Sequence, residues 1–236
     1  MYGLNDKKMR IERFEELPST NDYAKERRAL GEDCVVIARK QSGGRGTKGR
    51  SFVSTEGGLY MSKLTFYEDL PAKRAFEIMQ TAATAVCETL RAFGVYPTIK
   101  WPNDILVNGK KICGILIENT FSGENVRASI VGIGLNVCNV LPQELRAIAT
   151  TLQTETGKEI AVGDVEKILL DKLAEKGIWK NYAKYVGFIG ERVLLLCGER
   201  QIEAIMLGVD EEGNLMAKTA AGEERFSSAE VSLRGV

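Results

Sequence analysis

The sequence predicts an α+β fold, with strands and helices over residues 1–187 followed by a small all-β unit over residues 188–236. Three observations carry this expectation. Apolar residues recur at helical spacing between Ala75 and Phe93, an Asn-Gly pair separates two apolar runs at 108–109, and from about Gly187 the chain breaks into short runs parted by charged glycine turns.

Taken in order, Ser19-Thr20-Asn21-Asp22 is an N-cap cluster ahead of a short helix, residues 23–30, which Gly31 closes. Residues 34–38 form a short buried strand feeding a glycine-rich loop, and residues 59–64 alternate as a second strand. Pro71 opens an amphipathic helix whose apolar face runs through Ala75, Ile78, Met79, Ala82, Val86, Leu90 and Phe93 and which stops at Gly94, so it covers one face of a sheet. Strands follow at 97–101, 105–107 and 110–118, the last two joined by Asn108-Gly109, and another at 128–137. Asp164 is placed as the cap of a last long helix with Val165, Ile168, Leu169, Leu173 and Trp179 on its buried side. Strands at 192–197, 202–209, 215–219 and 225–233 complete the pattern of a small β-barrel.

Lysine and arginine total 32, aspartate and glutamate also 32, so there is no global basic field and DNA is not an expected partner. No run is long enough for a membrane span, and the first residues do not read as a secretion signal. The five cysteines are widely spaced with no C-x-x-C pair, which suits small apolar fillers in a reducing cytoplasm. There is no histidine. Acid–base and electrophilic work must fall to lysine, arginine, carboxylates and backbone amides.

The densest functional signal is Gln41-Ser42-Gly43-Gly44-Arg45-Gly46-Thr47-Lys48-Gly49-Arg50, where bare amides and three cations share one loop. Such a loop suits a polyphosphate; its bland counterpart is a basic surface turn. It is not a P-loop, because residues 52–58 do not continue as a helix. On the strand 130–137, Val131, Ile133, Leu135 and Val137 form a core face, while Ile130, Gly132, Gly134 and Asn136 form a face with two side chains missing. Either a planar ligand such as adenine lies there, with Asn136 at its edge, or a helix approaches closely. Lys100-Trp101-Pro102-Asn103-Asp104 reads as a shaped site, with Asp104 able to bind magnesium or its water shell, or else as a strand terminus. Lys111, after the hairpin turn, is placed to neutralise a carboxylate and a phosphate; Lys110 beside it reads as a solvated lysine.

Ser19-Thr20-Asn21, Gln41 with the loop 44–50, Lys100 to Asp104, Lys111 with Gly114-Ile115-Leu116-Ile117-Glu118, and Gly132-Ile133-Gly134-Leu135-Asn136 together resemble the biotin protein ligases in order and spacing, across essentially the whole chain. The resemblance implies a catalytic domain with the mixed sheet of class II aminoacyl-tRNA synthetases, followed by an SH3-like barrel. It also implies a reaction: biotin and Mg-ATP give biotinyl-5′-AMP, and a lysine of a biotin carboxyl carrier protein then takes the biotinyl group. By similarity Ser19, Thr20, Asn21, Gln41, Gly44, Arg45, Gly46, Thr47, Lys111 and Gly114 would contact biotin. Arg45, Lys48, Arg50, Trp101, Asn103, Asp104 and Asn136 would serve ATP, Asp104 its metal, and Arg45 and Lys111 would be catalytic.

The sequence departs from the family pattern in three places. Thr47 stands where many members carry a third loop arginine associated with retaining the adenylate, Phe52 stands where tryptophan is frequent, and no N-terminal helix-turn-helix precedes the first motif. The last departure implies a ligase without operator binding. A homodimer is neither required nor excluded. A lipoate or octanoate ligase or transferase of the same superfold, a biotinyl-AMP-sensing repressor and a nucleotide-binding scaffold are the competing readings.

Overall fold

The computed structural model describes residues 10–227 and 231–235. Strand β1 (Arg10–Leu17) leads into helix α1 (Thr20–Arg27), which Ser19 caps by accepting the Asp22 N–H; a left-handed Gly31, φ 68°, ends the short 3₁₀ extension that follows. Then come β2 (Cys34–Gln41), β3 (Leu59–Phe66), α2 (Phe76–Ala92), β4 (Thr98–Lys100), β5 (Asp104–Val107), β6 (Lys110–Ser122) and β7 (Asn125–Leu135). These strands form one seven-stranded mixed sheet in the order β1-β2-β3-β7-β6-β5-β4, in which only β1 and β2 run parallel. The β5–β6 hairpin turns on Asn108 and Gly109, both at positive φ, as a two-residue Asn-Gly turn requires.

Alternation along the central strands sends side chains to two cores. Val35, Met61, Val131 and Ile133 join the apolar face of α2 in the larger cluster, while Val36, Leu64, Ala128 and Ile130 pack beneath Ala24 of α1. Helices α3 (Leu152–Thr156) and α4 (Val162–Ala174) follow, with Val165, Leu169 and Leu173 of α4 buried in the larger core. The start of α2 is a separate 3₁₀ turn at Ala72–Arg74, since Pro71 sits in an extended conformation just before it.

The last long helix differs from expectation at both ends. Ala161 is its N-cap and Asp164 lies within the first turn, where a carboxylate still complements the helix dipole. The helix stops at Ala174, so Trp179 falls in a later 3₁₀ segment and is only half-buried, whereas Ile178 and Tyr182 fill the core.

The C-terminal unit contains β8 (Arg192–Cys197), β9 (Arg200–Val209), β10 (Leu215–Thr219), β11 (Gly222–Phe226) and β12 (Val231–Gly235), antiparallel in the order β11-β10-β9-β8-β12. The expected single strand at 225–233 is thus two strands, β11 and β12, at opposite edges of the sheet; residues 228–230 lie outside the described part. Its core is Val193, Leu195, Ala204, Met206, Leu215, Ala217 and Phe226, together with Trp101 from the first unit. The Trp101 indole N–H donates to the Gly213 carbonyl at 3.0 Å. At Gly213 a Cβ would overlap the Phe76 ring, and at Gly187 one would collide with Thr98 Cγ2, so both joints between the units need glycine.

Candidate functional site

Between the end of β2, the middle of β6 and the last turns of β7, beside the start of α1, a cavity of about 100 Å³ is bounded by residues far apart in sequence. Gln41 Oε1 accepts from the Thr20 backbone N–H at 2.8 Å and from its hydroxyl at 3.1 Å, and Gln41 Nε2 donates to Ser54 Oγ at 2.8 Å. Ser62 Oγ lies 2.7 Å from Thr20 Oγ1 and 2.6 Å from Asn21 Oδ1, while Asn21 Nδ2 donates to Glu118 Oε2 at 2.9 Å. Ser19, Thr20, Asn21 and Ser62 are all buried. The result is a set of polar groups with fixed orientations, able to meet a compact ligand that carries both donors and an acceptor.

The bare face of β7 is explained here. A Cβ at Gly132 would sit 2.9 Å from Asn21 Cγ and nearer still to its Oδ1, and one at Gly134 would sit 2.7 Å from Phe52 Cε1. Close approach of α1 is therefore the reading that holds at Gly132, and Phe52 covers Gly134. Asn136 lines neither this cavity nor the next; its side chain is buried and Oδ1 accepts from Asn139 Nδ2 at 3.1 Å, which takes it away from the adenine-edge role expected of it.

Arg45 and Lys111 line the same cavity but face different carboxylates. Arg45 Nη2 is 2.7 Å from Asp22 and 2.9 Å from Glu118, and its Nε is buried with no partner among the described residues. Glu118 also meets Lys25 Nζ at 2.6 Å. Burial alone would raise the Glu118 pKa, but the bonds from Lys25, Asn21 and Arg45 outweigh it and hold the carboxyl below its ordinary value. Lys111 Nζ is 2.6 Å from Asp104 Oδ1 and 5.7 Å from the centre of the Phe52 ring. A Cβ at Gly114 would stand 3.0 Å from Lys111 Nζ, so the glycine clears the path of the ammonium into the cavity.

The glycine loop is more self-contained than its composition suggests. The amides of Ser42, Gly43 and Gly46 donate to the carbonyls of Leu17, Pro18 and Arg50, so those three do not converge on an anion. Gly44 is packed against Ser54 and the Phe52 carbonyl. The loop cations remain well placed: Lys48 and Arg50, with Lys100, line a second cavity of about 370 Å³ that adjoins the first through Thr47, Arg50, Asn103 and Ile115. Arg50 also bonds the Thr47 carbonyl and hydroxyl, each at 3.2 Å. Asp104 and Glu212 bring carboxylates to the same space.

Within the Lys100–Asp104 segment the roles divide. The Trp101 side chain is 1% exposed and packs into the core of the C-terminal unit, and the residue also borders the second cavity. Asn103 extends the sheet in place of a strand, donating from Nδ2 to the Ile115 carbonyl at 2.8 Å and accepting the Ile115 N–H at its own carbonyl. Ser62, Asp22 and Glu118 were not assigned roles from sequence. Their partners lie across the fold, and only the position of Glu118 within a motif pointed to it.

Two family models match the chain: the Biotin/lipoate A/B protein ligase family over residues 14–136 and the Biotin protein ligase C terminal domain over residues 188–234. The chain belongs to the biotin/lipoate A/B protein ligase family. It is 30% identical over 229 residues to a Biotin--[acetyl-CoA-carboxylase] ligase of Paracoccus denitrificans, covering 87% of this chain and 92% of that protein. It is 38% identical over 220 residues to the Bifunctional ligase/repressor BirA of Bacillus subtilis, of which it spans 66% while using 86% of its own length. Among solved structures, a biotin protein ligase from Aquifex aeolicus in complex with biotin and ATP superimposes with a TM-score of 0.78 at 29% identity, covering 96% of this chain and 99% of that one. A biotin protein ligase from Leishmania major in complex with biotinyl-5-AMP gives a TM-score of 0.61 at 28% identity, covering 93% and 99%.

Proposed function

We propose that this family member is an ATP-dependent biotin ligase. The biotin carboxylate attacks the α-phosphate of ATP, giving biotinyl-5′-AMP and pyrophosphate; the Nε of a lysine on a biotin carboxyl carrier protein then attacks the acyl carbon, forming an amide and releasing AMP. The observation that carries the reading is that Arg45 and Lys111 line one cavity, whose wall holds Thr20, Asn21 and Gln41, fixed in part by buried Ser62 behind them, and which adjoins a second, cation-lined cavity.

The ureido ring of biotin has two N–H donors and one carbonyl, a demand that the oriented polar groups of Ser19, Thr20, Asn21 and Gln41 are suited to meet. Bringing a carboxylate against a phosphate opposes two anions, and cations held in place lower that barrier. The unpartnered Nε of Arg45 is a donor waiting for such an acceptor. Lys111, with its ammonium in the first cavity, is the second cation, and Lys48 and Arg50 suit the outer phosphates. No group of three or more metal-ligating side chains occurs among the described residues, which fits a magnesium ion held chiefly by ATP itself with Asp104 as a protein carboxylate. Bound magnesium would supply neutralisation of phosphate charge. The five free cysteines accord with a cytoplasmic enzyme.

The test is to incubate the chain with biotin, Mg-ATP and a carrier domain and weigh the carrier. Addition of one biotinyl group is the expected result. Modification by lipoate or octanoate in place of biotin would overturn the substrate assignment, and ATP binding without biotin-dependent pyrophosphate exchange would overturn the reaction.

A further inference from the structure

Behind the sheet from the site, a separate pocket surrounds a lysine that the ligase reaction does not use. In β3 consecutive residues point to opposite faces, so Ser62 joins the polar network while Lys63 faces α2 and α4. Its register partners there are Val35 on β2 and Val131 on β7, both buried core residues. Lys63 is itself half-buried, and with two valines beside its stem on a helix-covered face its ammonium has few protein partners and is open to an anionic ligand. None of the described residues forms an ion pair with it. Glu77, which shares the pocket, is engaged by Arg74 Nε and Nη2 at 2.6 and 2.8 Å, and Asp33 acts on Lys63 only through space. Burial pushes the Lys63 pKa down, the response of an ammonium without a counter-ion.

The surrounding cavity measures about 140 Å³, room for about five water-sized groups at roughly 30 Å³ each. Thr65 and Tyr67 bring hydroxyls to it, and burial pushes the Tyr67 phenol up to about 12, so it remains a donor at neutral pH. Leu70, Ile78 and Leu173 make the opposite wall apolar. With the Glu77 carboxylate paired to Arg74 and the Thr81 hydroxyl bonded to the Glu77 carbonyl, the lining left to a ligand is one cation, two neutral donors and a short apolar wall, which match an anion at one end and a few methylenes at the other.

We propose that this pocket binds a small aliphatic carboxylate, its head ion-paired to Lys63 and bonded by Thr65 and Tyr67, its tail against Leu70, Ile78 and Leu173. The assignment is independent of the ligase chemistry on the other face.

Propionate is the probe, with sodium chloride at equal ionic strength and 1-propanol as controls. Propionate at about 100-fold above its Kd raises the melting temperature by on the order of 5 °C, and neither control does. Lys63→Met, which places an unbranched apolar chain between the two valines and so keeps the fold, abolishes the propionate increment and melts higher than the wild type in propionate-free buffer. Saturation-transfer NMR on the unaltered chain gives a reading that needs no variant: magnetisation passes from protein to the propionate methyl. An equal response to chloride or propanol, an increment that survives in Lys63→Met, or no transfer to propionate would each overturn the assignment.

Discussion

Gly132→Ala tests the site most directly, because its consequence can be worked from the geometry. The new methyl would stand 2.9 Å from Asn21 Cγ, 3.1 Å from Nδ2 and closer still to Oδ1. Asn21 cannot swing aside cheaply, since Glu118 and Ser62 hold both ends of its amide and the residue is buried. Moving it breaks a bond to a charged group, about 1.5–3 kcal/mol, and one between neutral groups, about 0.5–1.5 kcal/mol. In opposition, alanine is favoured over glycine in a strand by roughly 0.5–1 kcal/mol. Both bonds exist without ligand, so their net loss lowers the melting temperature by several degrees. If the Asn21 amide meets biotin as proposed, its displacement also weakens biotin binding by about 2 kcal/mol, roughly 30-fold. Gly134→Ala is the internal control: it meets the ring of half-buried Phe52, which has no hydrogen bonds to break, and its effect on biotin is smaller. Isothermal titration with biotin and a thermal melt measure both quantities. An unchanged biotin Kd in Gly132→Ala would refute the role given to the Asn21 amide.

Lys111→Ala removes the ammonium in the first cavity and is expected to cut biotin-dependent pyrophosphate exchange by about 10²–10³-fold with an unaltered circular dichroism spectrum; near-normal exchange would remove Lys111 from the reaction. Trp101→Phe loses the bond to the Gly213 carbonyl, about 1 kcal/mol, so the melting temperature should fall by about 2–4 °C, as a calorimetric scan will show. Glu118 has a folded pKa below its ordinary 4.5, so its stabilisation is complete above that value and is lost as pH falls below it. Melts between pH 3.5 and 7 should show a shallower acid-side decline in Glu118→Gln, and parallel curves would count against the network. Thr47→Arg adds a fourth cation to the loop and should slow escape of biotinyl-AMP, measured by chasing labelled adenylate from the enzyme.

Local chemistry made much of this fold readable. Asn108-Gly109 and the periodicity of α2 each depend on neighbours within a few residues, and each was found where the sequence placed it, whereas the helix expected at 23–30 begins at Thr20 because Ser19, the first residue of the cap cluster, is the one that caps it. Asp164 was misplaced because an aspartate favours both the cap and the first turn, and only the backbone decides between them. Trp179 was assigned by extending a helical phase past Ala174, where Glu175 turns extended and Gly177 adopts φ 75°. At the site, the family resemblance pointed to Gln41 and Thr20 and the hairpin turn pointed to Lys111, but the partners that orient them are set by long-range contacts. Glu118 lies 97 residues from Asn21 and 73 from Arg45, and Ser62 lies 41 from Asn21. The glycine loop misled in one respect, because flexibility that admits an anion equally allows amides to bond carbonyls nearby.

The joint at Trp101 bears on how such enzymes can be recombined. One indole from the Lys100–Asp104 segment is both a filler of the C-terminal sheet and a donor to its 210–214 hairpin, and Phe76 presses on that hairpin's glycine. A chimera that grafts a foreign tail after residue 187 inherits this lock without its matching key. Transplanting Trp101, Phe76 and Gly213 as one set, with the tail they grip, is the exchange most compatible with an intact reaction centre.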